Sequence, residues 1–268
     1  MNILVTGGSG FIGRNLAKAL KNNHNVFTPN SKELDLTDSN KVDNYFRTKH
    51  FDWVIHCAIK GGRRNIKDSP FTTYDNLKMF FNLMNNRSRF EKLINFTSGA
   101  DFDRRTDVTS NKNNLFTSFP VDYYGISKNI ISRILHNSPH YNFRVFGTFG
   151  VDEDDERFIK KSILNAKKGE TIIVHQDRFF DYIYIEDLVN VVKYYIDNPK
   201  VTLDIDLDLV YYQKVKLSDI AKLIPGFNRI VLQDDTPGKS YTGSIVGIKT
   251  DIELIGLEEG IKRVYNAL

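Results

Sequence analysis

The sequence predicts an α/β fold, a doubly wound parallel sheet with a smaller C-terminal lobe. Three observations lead there. Apolar runs without polar alternation, such as Asn2–Val5 and the segment Asp52–Cys57 (DWVIHC), are the pattern of strands buried on both faces. Through residue 150 such runs alternate with helical patterns, as in a parallel sheet covered on both sides. After Gly150 the alternation weakens, and the turn dipeptides Pro225-Gly226 and Pro237-Gly238 break the chain.

Each element follows from its own residues. Phe11, Ile12, Leu16, Ala19 and Leu20 recur at helical spacing after the first strand. Val26-Phe27 reads as a short second strand, Asp52–Cys57 as a third, Lys92–Phe96 (KLINF) and Phe143–Phe146 as the next two. Helices are predicted over Tyr74–Met84 and Tyr124–Leu135. Beyond the acidic loop Val151–Glu156, the pattern predicts a helix over Arg157–Lys168, strands at Glu170–His175 and Tyr182–Ile185, and a helix over Asp187–Ile196. The tail predicts strands near Leu203–Leu207 and Tyr211–Val215, then short helices near Leu217–Leu223 and Glu258–Asn266. No Pro/Gly/Ser-rich linker divides the chain, so one body with a cleft is expected.

Composition excludes several classes. The chain has 268 residues, 41% hydrophobic and 26% charged, enough apolar surface to offset ordering entropy, so disorder is not its main state. Lys+Arg 37 against Asp+Glu 33 gives a scattered +4, too mild for nucleic-acid binding. The single cysteine, Cys57, excludes a disulfide framework and a cysteine-only zinc site, and no metal is expected. It fits a reducing compartment. No run approaches the ~18 apolar residues of a membrane span, and the N-terminus lacks the basic region of a secretory signal, so a cytoplasmic protein is expected.

Gly7, Gly10 and Gly13 lie between the first strand and the first helix, the context in which a glycine triplet binds a dinucleotide. Glycine supplies the tight turn without strain, and a side chain at Gly10 would hold a pyrophosphate off the backbone N–H groups and the helix N-terminus. Farther on, Tyr124 and Lys128 stand at i and i+4, on one helical face. A lysine beside a tyrosine favours the phenolate and makes the phenol a usable acid or base near neutrality.

The G-x-x-G-x-x-G spacing and the segment Tyr124–Lys128 (YGISK) resemble the extended short-chain dehydrogenase/reductase family. Its members include NAD-dependent epimerases, dehydratases and reductases acting largely on nucleotide sugars. The resemblance implies a Rossmann-type dinucleotide-binding domain over 1–150, with 178–200 returning to it, and a substrate-binding lobe from 151–177 and 201–268. It implies catalysis by Ser98, Tyr124 and Lys128, Thr97 being the alternative hydroxyl if register slips by one. It also implies cofactor contacts from Gly7, Gly10, Phe11, Ile12, Gly13, Asp35, Leu36, Ala58, Asn76, Lys128 and Phe146. Substrate contacts are implied for Lys60, in a stretch (AIKGG) similar to one in the family's reductases, and for Ser98, Tyr124 and Arg178; a guanidinium fork suits a diphosphate. Members commonly carry Asn where this chain has Gly147.

The end of the second strand (Thr28–Lys32) lacks the acid that holds an NAD ribose, while Ser31 and Lys32 could accept a 2′-phosphate. NADP(H) is therefore favoured, with NAD(H) the alternative. Gly99 and Ala100 follow Ser98, where the dehydratases carry Asp-Glu and the epimerising reductases carry a Cys. The resemblance thus implies first an enzyme reducing a nucleotide-diphosphate 4-keto-6-deoxy sugar at C4. A 4-epimerase with retained NAD is the alternative, and a non-catalytic dinucleotide sensor is a third reading. A homodimer through packed helices is implied by the family.

Overall fold

The computed structural model describes residues 1–62, 67–109, 114–199, 203–244 and 252–268. The chain runs β1 (Asn2–Thr6), α1 (Phe11–Leu20), β2 (Asn25–Phe27), α2 (Ser39–Arg47), β3 (Phe51–His56), α3 (Pro70–Asn85), β4 (Phe90–Ser98), β5 (Val108–Thr109), α4 (Asn114–Thr117), α5 (Tyr123–Leu135) and β6 (Tyr141–Val145). It continues through β7 (Thr148–Phe149), α6 (Phe158–Lys167), β8 (Ile172–Gln176), β9 (Ile183–Tyr184), α7 (Ile185–Asp197), β10 (Asp206–Asp208), α8 (Leu217–Lys222), β11 (Ile230–Asp234), β12 (Tyr241–Thr242) and α9 (Leu257–Ala267).

The main sheet has six strands in the order β10-β6-β4-β3-β1-β2. The β1–β2, β1–β3 and β3–β4 pairs are parallel, with Leu4 opposite Phe27 and Val54, and Val54 opposite Leu93. The order reverses at β1, the arrangement that opens a crevice at the carboxyl ends of the strands. On one face, Leu4, Val54 and Leu93 pack with Val42 and Phe46 of α2, Met79, Phe80 and Leu83 of α3, and Ile131 and Leu135 of α5. On the other, Trp53 stacks on Tyr141, and Tyr195 meets the edges of Tyr141 and Phe143. Both faces are covered, which is why the strands read as unbroken apolar runs.

Several element boundaries differ from the sequence expectation. Helix α2 was not foreseen: its cap is Asp38, which accepts the Lys41 N–H, but only Val42 and Phe46 along it are buried. Helix α3 begins earlier than its apolar pattern, because Ser69 and Thr72 form a capping box and Pro70 opens the first turn. No strand forms over Tyr211–Val215; that stretch is irregular, and the Tyr211 hydroxyl donates to the buried Asp187 carboxylate.

The chain divides into two compact units. One comprises Met1–Asp103, Lys112–Arg144 and Tyr195–Leu207, and the other Arg104–Asn111, Val145–Tyr194 and Asp208–Leu268. The first carries most of the six-stranded sheet. The second holds three two-stranded pairings, β8–β11, β5–β12 and β7–β9. The family resemblance implies that 178–200 returns to the dinucleotide-binding domain; of that stretch, Tyr195 onward groups with the first unit and the part up to Tyr194 with the second.

Candidate active site

The glycines of the first turn have separate tasks. Gly7 has φ +68°, and a methyl there would fall 2.6 Å from the Ala58 nitrogen, so Gly7 lets β1 and the end of β3 close together. A methyl at Gly13 would overlap the Gly7 carbonyl oxygen. Gly10 differs: it caps α1 without a side-chain bond, and a methyl on it would meet only the Gly7 oxygen, at 3.2 Å. The first-turn N–H groups of Phe11, Ile12 and Gly13 have no acceptor within the helix. No acid lies in that turn. This cradle, open where a side chain would fill it, suits the pyrophosphate of a dinucleotide.

The next segment lies after β2. Ser31 and Lys32 are exposed on a turn organised by Asn30, whose side-chain oxygen accepts the Lys32 and Glu33 N–H groups. Glu33 accepts the Asn30 N–H at 2.8 Å. Asp35 accepts both the N–H and the hydroxyl of Thr37, and these bonds hold its carboxyl below the usual range. Leu36 is a core residue whose carbonyl accepts from Asn82 at 2.8 Å.

Ala58 begins the segment that leaves β3. Asn76, on α3, is buried, and its amide accepts the Lys60 N–H (2.9 Å) and donates to the Lys60 carbonyl (3.0 Å) and the Ser127 hydroxyl (3.1 Å). Asn76 thus ties this loop to α5. The Lys60 ammonium pairs with Asp75 at 2.6 Å on the surface. Farther along this loop, Gly62 (φ +70°) lies over the Tyr124 ring, with room for no side chain.

Asp122 caps α5 by accepting the Gly125 N–H at 2.8 Å. Tyr124 is partly exposed and Lys128 is buried, with its Nζ 5.8 Å from the Tyr124 ring centre. Lys128 donates to the Phe96 carbonyl at 2.6 Å. Burial lowers its ammonium to about 8, against the pull of Asp101 and Cys57. Burial, aided by Lys128, lowers His56 to about 3, so the imidazole is neutral and shares a hydrogen bond with the Thr6 hydroxyl.

The two hydroxyls at the end of β4 point to different tasks. Thr97 is buried and donates to Asp101 at 2.5 Å. Ser98, partly exposed, accepts the Ala100 N–H at 3.2 Å as it caps a short 3₁₀ turn, Gly99–Asp101. A methyl on Gly125 would fall 2.6 Å from the Ala100 carbonyl, so the glycine lets α5 approach the turn that carries Ser98.

In the second unit, Phe146 is buried edge-on to Tyr241. A methyl at Gly147 would fall 2.7 Å from the Tyr182 ring; the aromatic side chain occupies the room that a larger residue at 147 would need. Arg178 is half-buried, and its Nε is enclosed without a hydrogen-bond partner.

Glycine cradle, Tyr/Lys helix face and parallel sheet together define a nicotinamide dinucleotide-dependent enzyme of the Rossmann type. The profile of the NAD dependent epimerase/dehydratase family matches residues 3–205, more than half of the chain, and the chain belongs to that family. It is 25% identical over 224 residues to a GDP-L-colitose synthase from Yersinia pseudotuberculosis, covering 74% of this chain and 73% of that one. A GDP-mannoheptose C4 reductase from Campylobacter jejuni with NADP bound has the same fold, with a TM-score of 0.79, 15% identity, and coverage of 99% and 97%. So has a UDP-glucuronic acid 4-epimerase from Bacillus cereus, in complex with NAD, with a TM-score of 0.76, 17% identity, and coverage of 99% and 98%. Among the described residues no helix is long and apolar enough to cross a membrane.

Proposed function

We propose that this enzyme reduces a nucleotide-diphosphate 4-keto-6-deoxy sugar at C4. The observation that carries the reading is the burial of Asp101 beside a Ser98, Tyr124 and Lys128 set. A 4,6-dehydratase needs further acid/base groups next to its catalytic hydroxyl. The acid three residues past Ser98, Asp101, is fully buried and bonded to Thr97, Ser132 and Arg144. What remains is machinery for one proton and one hydride.

When bound, the nicotinamide supplies the hydride. Ser98 donates to the C4 carbonyl oxygen and polarises it. The Tyr124 hydroxyl gives that oxygen its proton as the new C–H bond forms, and the phenolate left behind is stabilised by the Lys128 ammonium. Lys128 also holds the nicotinamide ribose. The Gly10 cradle and the first-turn N–H groups of Phe11, Ile12 and Gly13 hold the pyrophosphate, with Asp35, Leu36, Ala58 and Phe146 lining the cofactor. Asn76 acts by positioning the loop that follows Ala58.

NADP(H) is the preferred cofactor in this reading. The only acid in the 28–33 turn, Glu33, is engaged with the Asn30 N–H, while Ser31 and Lys32 remain exposed for a 2′-phosphate. Arg178, with an enclosed Nε that has no hydrogen-bond partner, suits the substrate diphosphate. Lys60 is a further substrate contact in this reading. GDP-linked sugars are the first candidates, because the colitose synthase and the mannoheptose reductase are named for GDP substrates. Phe71, Tyr74 and Phe81 of α3 and Tyr123 and Ile134 of α5 are exposed, which supports a homodimer through these helices, and a cytoplasmic location completes the reading.

The test is absorbance at 340 nm with NADPH or NADH and a panel of GDP-, UDP- and dTDP-linked 4-keto-6-deoxyhexoses. Stoichiometric loss of NADPH is expected, abolished in Tyr124→Phe. No loss with any keto-sugar, together with NAD released on denaturation, would overturn the reading in favour of a 4-epimerase.

A further inference from the structure

We propose that Asp101 is a positioning residue, which with Arg144 clamps the Ser98 turn onto the α5 face that carries Tyr124 and Lys128. The proposal rests on those three residues carrying the reaction.

On this side the sheet–helix contact is largely apolar, with Leu4, Val54 and Leu93 of the sheet clustered with Ile131 and Leu135 of α5. Behind Ser98 it turns polar. The Asp101 carboxylate is fully buried and takes three donors: the hydroxyls of Thr97 (2.5 Å) and Ser132 (2.8 Å), and Arg144 Nε (3.0 Å). Its backbone carbonyl accepts the Asn129 amide at 2.8 Å. Tyr124, Lys128 and Ser132 are successive i, i+4 positions, so the stripe that bears the reacting groups also bears a donor to Asp101. Helix α5 therefore meets the turn at Gly125, Asn129 and Ser132, on three successive turns.

The clamp is braced from behind. Ser132 accepts from the Asn142 amide (3.0 Å), which also reaches Asp206 (3.2 Å), and Asp206 bonds His136 (2.8 Å). Asn95 donates to Asn142 at 2.8 Å. Arg144 lies 5.1 Å from the Phe102 ring centre, just past the turn.

A buried ion pair is weak evidence of stability, because apolar side chains of similar volume often serve better. A hydrogen-bonded network does fix one arrangement, where an apolar contact can slide. At this place sliding has a cost: misplacing a reacting group by about 1 Å can lose about 10²-fold in rate. Asp101 also faces Lys128 electrostatically. The other groups there are Cys57, held up to about 12 by burial, the neutral His56, and Tyr124; burial pushes the Asp101 carboxyl itself up, against the charge of Arg144 and its hydrogen-bond donors. Without the Asp101 charge, the lysine would lose its proton at lower pH.

Asp101→Asn leaves Arg144 buried without its anion and can fail to fold. The deciding variant is therefore Asp101→Leu/Arg144→Met, in which both charges are replaced by apolar groups. Steady-state NADPH oxidation, NADPH affinity, Tm and the pH profile of kcat are measured for it and for wild type, and Lys128 is titrated by side-chain NMR. The expected result is a folded protein with NADPH affinity unchanged within about 3-fold, kcat down by about 30-fold or more at similar KM, and a lower Lys128 pKa. Wild-type kcat and an unmoved Lys128 titration in a folded double variant would overturn the proposal, as would its failure to fold, which would make the pair merely structural. Wild-type protein that neither binds nor oxidises NAD(P)H would overturn the functional reading instead; the Lys128 titration would then still report on the clamp.

Discussion

Gly62 lies directly on the Tyr124 ring: a methyl at Gly62 would fall 2.9 Å from its Cε2 atom. The loop leaving β3 therefore walls one side of the Tyr124 ring, and Asn76 holds that loop to α5. Gly62→Ala combines a positive φ with this overlap, so the tyrosine must move or the loop must open. We expect kcat to fall about tenfold or more, with a stability loss of about 1–2 kcal/mol. Kinetics and a urea melt on one preparation separate the two effects; unchanged kcat would remove Gly62 from the site.

The glycine turn makes a differential prediction. Gly10→Ala meets only a carbonyl at 3.2 Å and should cost stability about 1 kcal/mol or less, while NADPH affinity drops severely because the methyl stands where the pyrophosphate must approach. Gly13→Ala overlaps backbone and should cost about 1–3 kcal/mol in stability. Equal Tm losses for the two would contradict this division of labour.

Lys128 should weaken the fold it serves. Its pKa is about 8 in the folded protein against 10.5 as the ordinary value. Between those values the unfolded chain holds more protons than the native one, so stability should rise with pH through that window, the full penalty being present below 8. Lys128→Met should therefore be inactive yet more stable than wild type at pH 7, by up to about 3 kcal/mol. The gap should narrow from pH 8 upward in denaturant titrations.

Glu153 has the opposite sign. It is buried, and burial raises its pKa to about 8 despite Arg157, the Gly150 backbone and Lys160. Between 4.5 and about 8 the native state holds the extra proton, so this group's contribution to stability falls as pH rises through that window. Glu153→Gln should remove that dependence and exceed wild type above pH 8 by about 3–5 kcal/mol. Melts at pH 5 and pH 9 test it; parallel losses in both proteins would refute it.

Much of what depends on neighbours in sequence was legible in the chain. The glycine turn between β1 and α1 and the Tyr124/Lys128 pair are local patterns, and the buried parallel strands announce themselves by lacking alternation. Helix α2 was missed because its signal is one cap and two apolar positions. Only the tertiary structure decided which β4 hydroxyl faces inward: successive residues of a strand point to opposite sides, and Thr97 is taken by Asp101, a partner chosen by the 3₁₀ turn. It also decided that the Asn76 amide holds a loop, that Gly62 covers Tyr124, and that Ser132 and Arg144 converge on Asp101. These are contacts between residues tens of positions apart. Backbone conformation and hydrophobic period are written locally, but the direction in which a buried polar group finds its partner is set only when helix and sheet pack.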